Sequence, residues 1–280
     1  MSAGILFKPL NGAHAVVETV FFFEFADRPF SDELVRGLLT DAYKAQLPTR
    51  EETPSYEINF DMASEKTSQR ISISYTFSTK REENSAPEWA VRINNGNQVS
   101  IHCTSYTRWD AVSSEAFKYL SELAKCAKTD LRLNSLGFKV VDRFEYIPDV
   151  GEYDLTKLLR SDSLYILPKA FAAGEKWHAH SGWFTPTAED KKILNHLNID
   201  SSALSFDHLA PKIYVSIDHT QARQREENEI SALPAYSDVE SFVSSARDFF
   251  KPLHIQNKLV VANLLTDDSS RRLNLIVEKE

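Results

Sequence analysis

The sequence predicts an α+β protein in which antiparallel β-sheets pack against helices in two lobes. Apolar and polar residues alternate across 71–77, as in a strand with one face in water. Asn95 and Gly96 separate two short alternating segments, which indicates a tight hairpin between antiparallel strands. Segments with apolar residues at helical spacing lie between the strands, so helices should cover the sheets.

The first lobe is predicted to span residues 1–148. It begins with a strand over Val16–Phe25, where Val17 shares a face with three phenylalanines. Ser31 can cap an amphipathic helix that stops at Pro48. The remaining elements are strands at 56–62 and 71–77, the hairpin at 89–103, a helix from Trp109 or Ser113 to Lys128, and a strand at 138–146.

The second lobe is predicted to span residues 149–280 and to end in helices. A short helix near Leu155–Leu159 and strands at Trp177–Phe184 and Ile213–His219 are its first elements. Ser237 and Glu240 have the spacing of a capping box, so a helix should begin there and break at Pro252. The segment 253–265 is predicted to be a further helix.

Glycine is scarce, and this excludes the common nucleotide-binding loops. The chain has 8 glycines in 280 residues, all far apart, against a typical share of roughly 7%. Phosphate-cradling loops need closely spaced glycines. The net charge of -8 gives no general attraction to phosphate backbones or anionic lipid. No cofactor is therefore expected.

The compartment predicted from the sequence is the cytoplasm. The two cysteines are too few for a disulfide framework and lack the spacing of a zinc site. No basic segment followed by a long apolar run marks a secretory signal near Met1. The longest apolar run is far shorter than the roughly 20 residues of a spanning helix, so no membrane partner is expected.

Asp142 is the residue whose position needs a physical explanation. It interrupts the apolar series of the strand at 138–146 on the predicted core face. A buried carboxylate without a partner is costly, so an internal ion pair with Arg92 or Arg108 is the favoured interpretation. The alternative is a perturbed carboxylate lining a cleft, which Glu18 and Glu24 could join.

Two histidines on one strand face, His178 and His180, form a weak candidate metal site. A third ligand is needed, and His208, Asp218 and His219 are the nearest suggestions along the chain. A surface or packing role is favoured for the pair. His254, just beyond Pro252, is expected to cap or hydrogen-bond a helix end rather than to act in catalysis.

Three segments carry a resemblance to a known family: 105–109, 137–144, and 253–254 with 264–267. Together they resemble a sporadically distributed, uncharacterised bacterial family of about this length, marked by a histidine near its C-terminus. The resemblance implies a cytoplasmic α+β protein in accessory or phage-defence gene neighbourhoods, with no established activity. The sequence departs from the family at Val261, where an aromatic residue is expected. The marked positions that carry over are Tyr106, Trp109, Asp142, Arg143, His254 and Asp267.

The favoured function is a non-enzymatic, intracellular protein–protein interaction module. The resemblance suggests an accessory, immunity or antitoxin-like component of a bacterial antiviral defence system. The alternative is a metal-dependent hydrolase or nuclease using His178 and His180, and the second alternative is a nucleic-acid-binding protein. A protein partner is expected, homo-oligomer formation stays open, and nucleic acid is the least favoured partner because the chain is acidic.

Overall fold

The computed structural model describes residues 4–12, 14–61, 66–80, 86–127, 130–187, 192–205, 210–224 and 238–275. Within these ranges the chain is an α+β protein, as predicted, built on one ten-stranded sheet. Neighbouring strands in this sheet are antiparallel throughout. The strands are β1 (Phe7–Pro9), β2 (Val16–Phe25), β3 (Thr49–Asp61), β4 (Lys66–Ser78), β5 (Trp89–Asn94), β6 (Gln98–Cys103), β7 (Leu133–Tyr146), β8 (Trp177–Pro186), β9 (Lys192–Leu204) and β10 (Lys212–Gln224). Their order in the sheet is β3-β4-β5-β6-β2-β7-β10-β9-β8, and β1 also pairs with β7.

The helices pack on one face of the sheet. A first helical segment is made of α1 (Asp32–Leu34), a π-helical turn (Val35–Leu39) and α2 (Thr40–Tyr43). The long helices are α3 (Trp109–Cys126) and α4 (Val239–Leu264), and α5 (Asp267–Arg272) follows directly. Short 3₁₀ turns occupy Pro148–Val150, Leu155–Lys157 and Pro168–Ala172. No helix among the described residues is both long and apolar enough to cross a membrane.

Two hydrophobic clusters lie between the sheet and the helices, and they meet on β7. The larger cluster includes Phe138 and Val140, and the smaller one begins with Phe144. Asp142 lies between these residues on the same face of β7. Helix α4 spans both clusters, because Phe250 belongs to the larger and Val260 to the smaller. The division of the chain at residue 148 into two lobes stays a prediction.

The Asn-Gly hairpin is confirmed. Asn95 and Gly96 have φ angles of 54° and 70°, the left-handed values that such a turn requires. The two strands pair from Trp89↔Cys103 to Asn94↔Gln98. Gly96 also accepts a hydrogen bond from Phe30 N at 3.1 Å, so the turn is tied to the segment before α1.

Several local predictions were wrong, each for a physical reason. Helix α4 runs through Pro252 without a break, because its buried stripe continues on both sides of the exposed proline. Ser237 lies outside the described residues, and Asp238 caps α4 by accepting from Ser241 N. In the amphipathic helix predicted after Ser31, helical spacing places Leu38 on the apolar stripe with Leu34 and Val35, but Leu38 is 57% exposed because the π-helical turn shifts this spacing.

Candidate functional site

A recess of about 430 Å³ opens between the centre of the sheet and helices α3 and α4, at the junction of the two hydrophobic clusters. The β6–α3 loop, β7, α4 and the segment after α5 each contribute to its lining. The lining combines aromatic, aliphatic and polar side chains, as ligand sites usually do. It consists of His14, Val16, Tyr106, Thr107, Arg108, Trp109, Phe138, Val140, Asp142, His254, Asn257, Lys258, Val261, Leu273, Asn274 and Leu275.

Asp142 lies in this recess beside a β-bulge. Its Cα pairs with Val16 of β2, and the next pair is Val141 with Glu18, so β2 carries one extra residue at Val17. The bulge also reverses which side chains of β2 face the core. Val17 therefore lines a groove on the opposite face of the sheet, and the prediction that it shares a face with the three phenylalanines was wrong. Bulges often re-aim side chains next to functional sites.

Asp142 is a buried residue whose carboxyl lines the recess, and no ion pair or hydrogen bond holds this carboxyl among the described residues. The residue is 6% exposed. Burial alone raises its pKa to about 7, because removal from water disfavours the charged form and no nearby cation compensates. The favoured ion pair with Arg92 or Arg108 is therefore absent from the described structure, and Arg108 is exposed at the rim of the recess.

The two glutamates proposed to join Asp142 lie on the other face of the sheet. Glu18 Oε1 is 2.9 Å from His102 Nδ1, and this bond lowers the pKa of the Glu18 carboxyl. Glu24 Oε2 accepts from Ser135 Oγ at 3.4 Å. Among the described residues, Asp142 is thus the one carboxylate that lines the recess. This matches the alternative interpretation of the sequence, a perturbed carboxylate that lines a cleft, but without Glu18 and Glu24.

Trp109 and His254 form a stacked pair in the recess. Their rings are 4.2 Å apart between centroids, with planes only 2° from parallel. Trp109 is the first residue of α3, and Phe138 of β7 meets it edge-on at 5.4 Å. His254 is inside α4 rather than at a helix end, so the predicted capping role was wrong. Burial lowers the pKa of His254 to about 4, and the charge of Lys258 acts in the same direction.

Tyr106 faces Asp142 from the β6–α3 loop. Burial, followed by the charge of Asp142, raises the pKa of its phenol to about 12. The ring of His14 meets the Tyr106 ring edge-on at 5.9 Å. Both side chains are half-buried and line the recess. The phenol therefore stays protonated near neutral pH and can donate a hydrogen bond to a ligand.

A buried histidine supports the recess from behind. His219 of β10 has its Nδ1 2.9 Å from Asn257 Oδ1 and its Nε2 3.2 Å from Asn195 Oδ1. The ring of Trp183 stacks on it at 5.7 Å. Burial lowers the pKa of His219 to about 4, so the ring is neutral at physiological pH. Its contact with Asn257 ties the recess-facing side of α4 to the sheet.

The remaining predicted site residues lie away from the recess. Arg143 points to the opposite sheet face, where its Nε donates to Ser216 Oγ at 3.3 Å. Asp267 begins α5 and is 3.5 Å from Arg160 at an exposed position. His178 and His180 lie on the exposed face of β8, and His180 contacts Asn198 through its Nδ1. No group of three metal-ligating side chains occurs within the described ranges.

Sequence reasoning missed several residues that line the recess, including His14, Asn257, Lys258 and Leu273. A signal for some of them exists. His254, Asn257, Lys258 and Val261 have the three- and four-residue spacing of one helix face. Comparison with family models, curated proteins and solved structures finds no match.

The buried histidines should make the protein less stable in acid. A histidine with a depressed pKa contributes stability that is complete above its unfolded value, near 6.5, and is lost as the pH falls towards about 4. We expect His254→Phe, which keeps an aromatic ring on Trp109, to reduce the loss of unfolding free energy between pH 6.5 and 4. Urea unfolding at both pH values measures this change.

The exposed His178 provides the control for this measurement. His178→Gln should leave the acid dependence of the unfolding free energy as it is in the parent protein. A His254 ring that titrates near 6.5 by NMR would contradict the buried, neutral stack described above.

Proposed function

We propose that this chain is a non-enzymatic protein–protein interaction module that holds its partner at the recess around Asp142. The observation that carries this proposal is the unpaired carboxyl of Asp142 in an open, aromatic recess. Such a group lowers the stability of the free protein, since its ionisation in this place is opposed by burial. Sites that violate the rules of stable packing are most often functional sites.

The proposed setting is that of an accessory, immunity or antitoxin-like protein in bacterial antiviral defence. The resemblance of the segments around Tyr106, Asp142 and His254 supports this setting. All three segments contribute side chains to the same recess: Tyr106 and Trp109 come from the first, Asp142 from the second and His254 from the third. A binding role needs no further catalytic group, and the recess combines anchoring aromatic surface with a few polar groups, as binding sites do.

Native pull-down with the tagged full chain tests the proposal. The parent protein and the Asp149→Asn control, which changes an exposed carboxylate, should recover the same partner. Asp142→Asn and Lys258→Ala should lose it, because both residues line the recess. Recovery that is equal for all four proteins would place the interaction elsewhere, and the absence of any partner together with a measurable turnover would reject a non-enzymatic role.

One observation favours a second candidate, general acid–base chemistry at Asp142. A carboxyl with a pKa of about 7 can both donate and accept a proton near neutral pH. His254 shares the recess and offers a neutral imidazole. An enzyme of this type would lose turnover in Asp142→Asn while still binding its substrate, whereas a binding module loses the partner itself.

A further inference from the structure

The charges of the recess are arranged in two layers. The carboxyl of Asp142 is buried, whereas the cations Arg108 and Lys258 belong to residues with more exposure. Neither cation influences the pKa of Asp142, which responds to burial alone. The two cations therefore do not neutralise the carboxylate. A ligand that enters the recess meets the carboxyl of Asp142, which no cation neutralises, and then the positively charged side chains of Arg108 and Lys258 nearer the solvent.

Asn257 lines the recess together with Asp142, and its side chain is anchored to the sheet, because its Oδ1 is 2.9 Å from Nδ1 of His219. Nε2 of His219 is in turn 3.2 Å from Oδ1 of Asn195. Asn195 is held in place because its Nδ2 donates to Ile193 O and Thr185 Oγ1 at 3.1 and 3.0 Å. The oxygen of Asn257 is thus directed at His219, and the carboxyl of Asp142 is the acidic acceptor of the recess.

Aromatic rings line the recess beside Asp142. Tyr106, Trp109 and Phe138 line the recess together with Asp142. The faces of aromatic rings carry negative charge density and attract cations, most strongly where water is excluded. A buried carboxylate together with aromatic rings favours a bound cation over a bound anion in the part of the recess around Asp142.

We propose that the recess binds the side chain of a lysine or arginine of the protein partner, with its ammonium or guanidinium group against Asp142. Acidic residues beside this basic residue would meet Arg108 and Lys258 at the rim. This inference rests on the proposed function and names the chemistry of the contact. A basic side chain also has an apolar stem that suits the aliphatic lining at Val140, Val261 and Leu273.

Short peptides test this proposal by isothermal titration calorimetry on the full chain. The first probe is acetyl-Glu-Lys-Glu-amide, and the matched probe replaces lysine with norleucine, which keeps the stem and lacks the charge. We expect the lysine peptide to bind at least about tenfold more tightly than the norleucine peptide. Asp142→Asn should remove most of this difference, and Asp149→Asn should preserve it.

The pH dependence provides a second readout. Binding of the cation requires ionised Asp142, so affinity for the lysine peptide should rise severalfold between pH 6 and 8. The titratable or charged side chains that line the recess with Asp142 are His14, Tyr106, Arg108, His254 and Lys258, and the charge of Asp110 acts on Tyr106 and His254 from outside the lining. Tyr106 and His254 keep one protonation state in this range. His14→Gln serves as the control for the remaining histidine and should retain the rise.

Two further comparisons show which part of the proposal fails if it is wrong. Butylammonium at the same concentration tests whether a free amine suffices, and tighter binding of butylammonium than of the peptide would overturn the assignment to a partner side chain. Equal binding of the lysine and norleucine peptides would overturn the cation contact. If the pull-down partner still depends on Asp142 in that case, the proposed function stands and only its chemistry is wrong.

Discussion

Asp142→Asn should unfold at a higher urea concentration than the parent protein at pH 8. The folded state holds the pKa of Asp142 at about 7, against an ordinary value of 3.8. A carboxyl whose pKa is raised by folding stabilises the protein below its unfolded pKa, and this contribution disappears as the pH rises through the folded pKa. The neutral amide of asparagine has nearly the same shape and does not ionise.

The expected gain is large. A carboxyl pKa raised from 3.8 to about 7 on folding corresponds to about 4 kcal/mol of unfolding free energy at pH 8. The difference between variant and parent should shrink as the pH falls from about 7 to about 4, because the parent carboxyl is then protonated in both states. Asp149→Asn should change the unfolding free energy by less than about 0.5 kcal/mol at either pH. A variant no more stable than the parent at pH 8 would mean that Asp142 has a compensating partner.

Gly137→Ala should destabilise the protein more than most single substitutions. A Cβ at this position of β7 would lie 2.3 Å from Gln221 O of β10 and 2.3 Å from the Phe22 ring of β2. The phenylalanine ring can turn away, but the carbonyl oxygen belongs to the backbone of a central strand. We expect a loss of about 3 kcal/mol in the unfolding free energy measured with urea, since the two strands must separate to make room.

Gly37→Ala is the matched control. Apart from its chain neighbours and its own helix backbone, no atom lies within 4 Å of a Cβ built at Gly37, which is an exposed residue of the first helical segment. This variant should be neutral or slightly stabilising, because alanine favours helical structure over glycine. A second variant, Gly137→Ala combined with Phe22→Ala, should recover only part of the loss. Full recovery would show that the ring, rather than the Gln221 carbonyl, limits the space.

Elements with strong local signals were predictable from the sequence. The turn at Asn95 and Gly96 depends on the backbone preferences of two adjacent residues, so no distant contact was needed to find it. Strand β9 was missed because Asn195 and Ser201 interrupt its buried face, although both are almost fully buried in the sheet. The break at Pro252 was wrong because packing of α4 on both clusters outweighs the loss of one helical hydrogen bond.

The candidate site was predictable only in part. The period-two pattern of β7 places Asp142 on the core face, and the resemblance marks Tyr106, Trp109 and His254, all of which line the recess. Contact between Asp142 and an arginine depends on the packing distances between β2, α3 and α4. The sequence pattern of a single strand does not predict these distances. The bulge at Val17 and the contact of His219 with Asn257 also arise between distant segments of the chain, so no local sequence pattern predicts them.

The position of β7 limits how the polypeptide can be cut into pieces. This strand of 14 residues is bordered by β2 on one side and by β10 on the other. A fragment ending at Pro148 would retain β7 with its β10 side bare, and an apolar strand with unpaired backbone groups is a template for self-association. Expression of residues 1–148 without β10 should therefore yield aggregates, because β7 needs β10 beside it to pair its backbone groups.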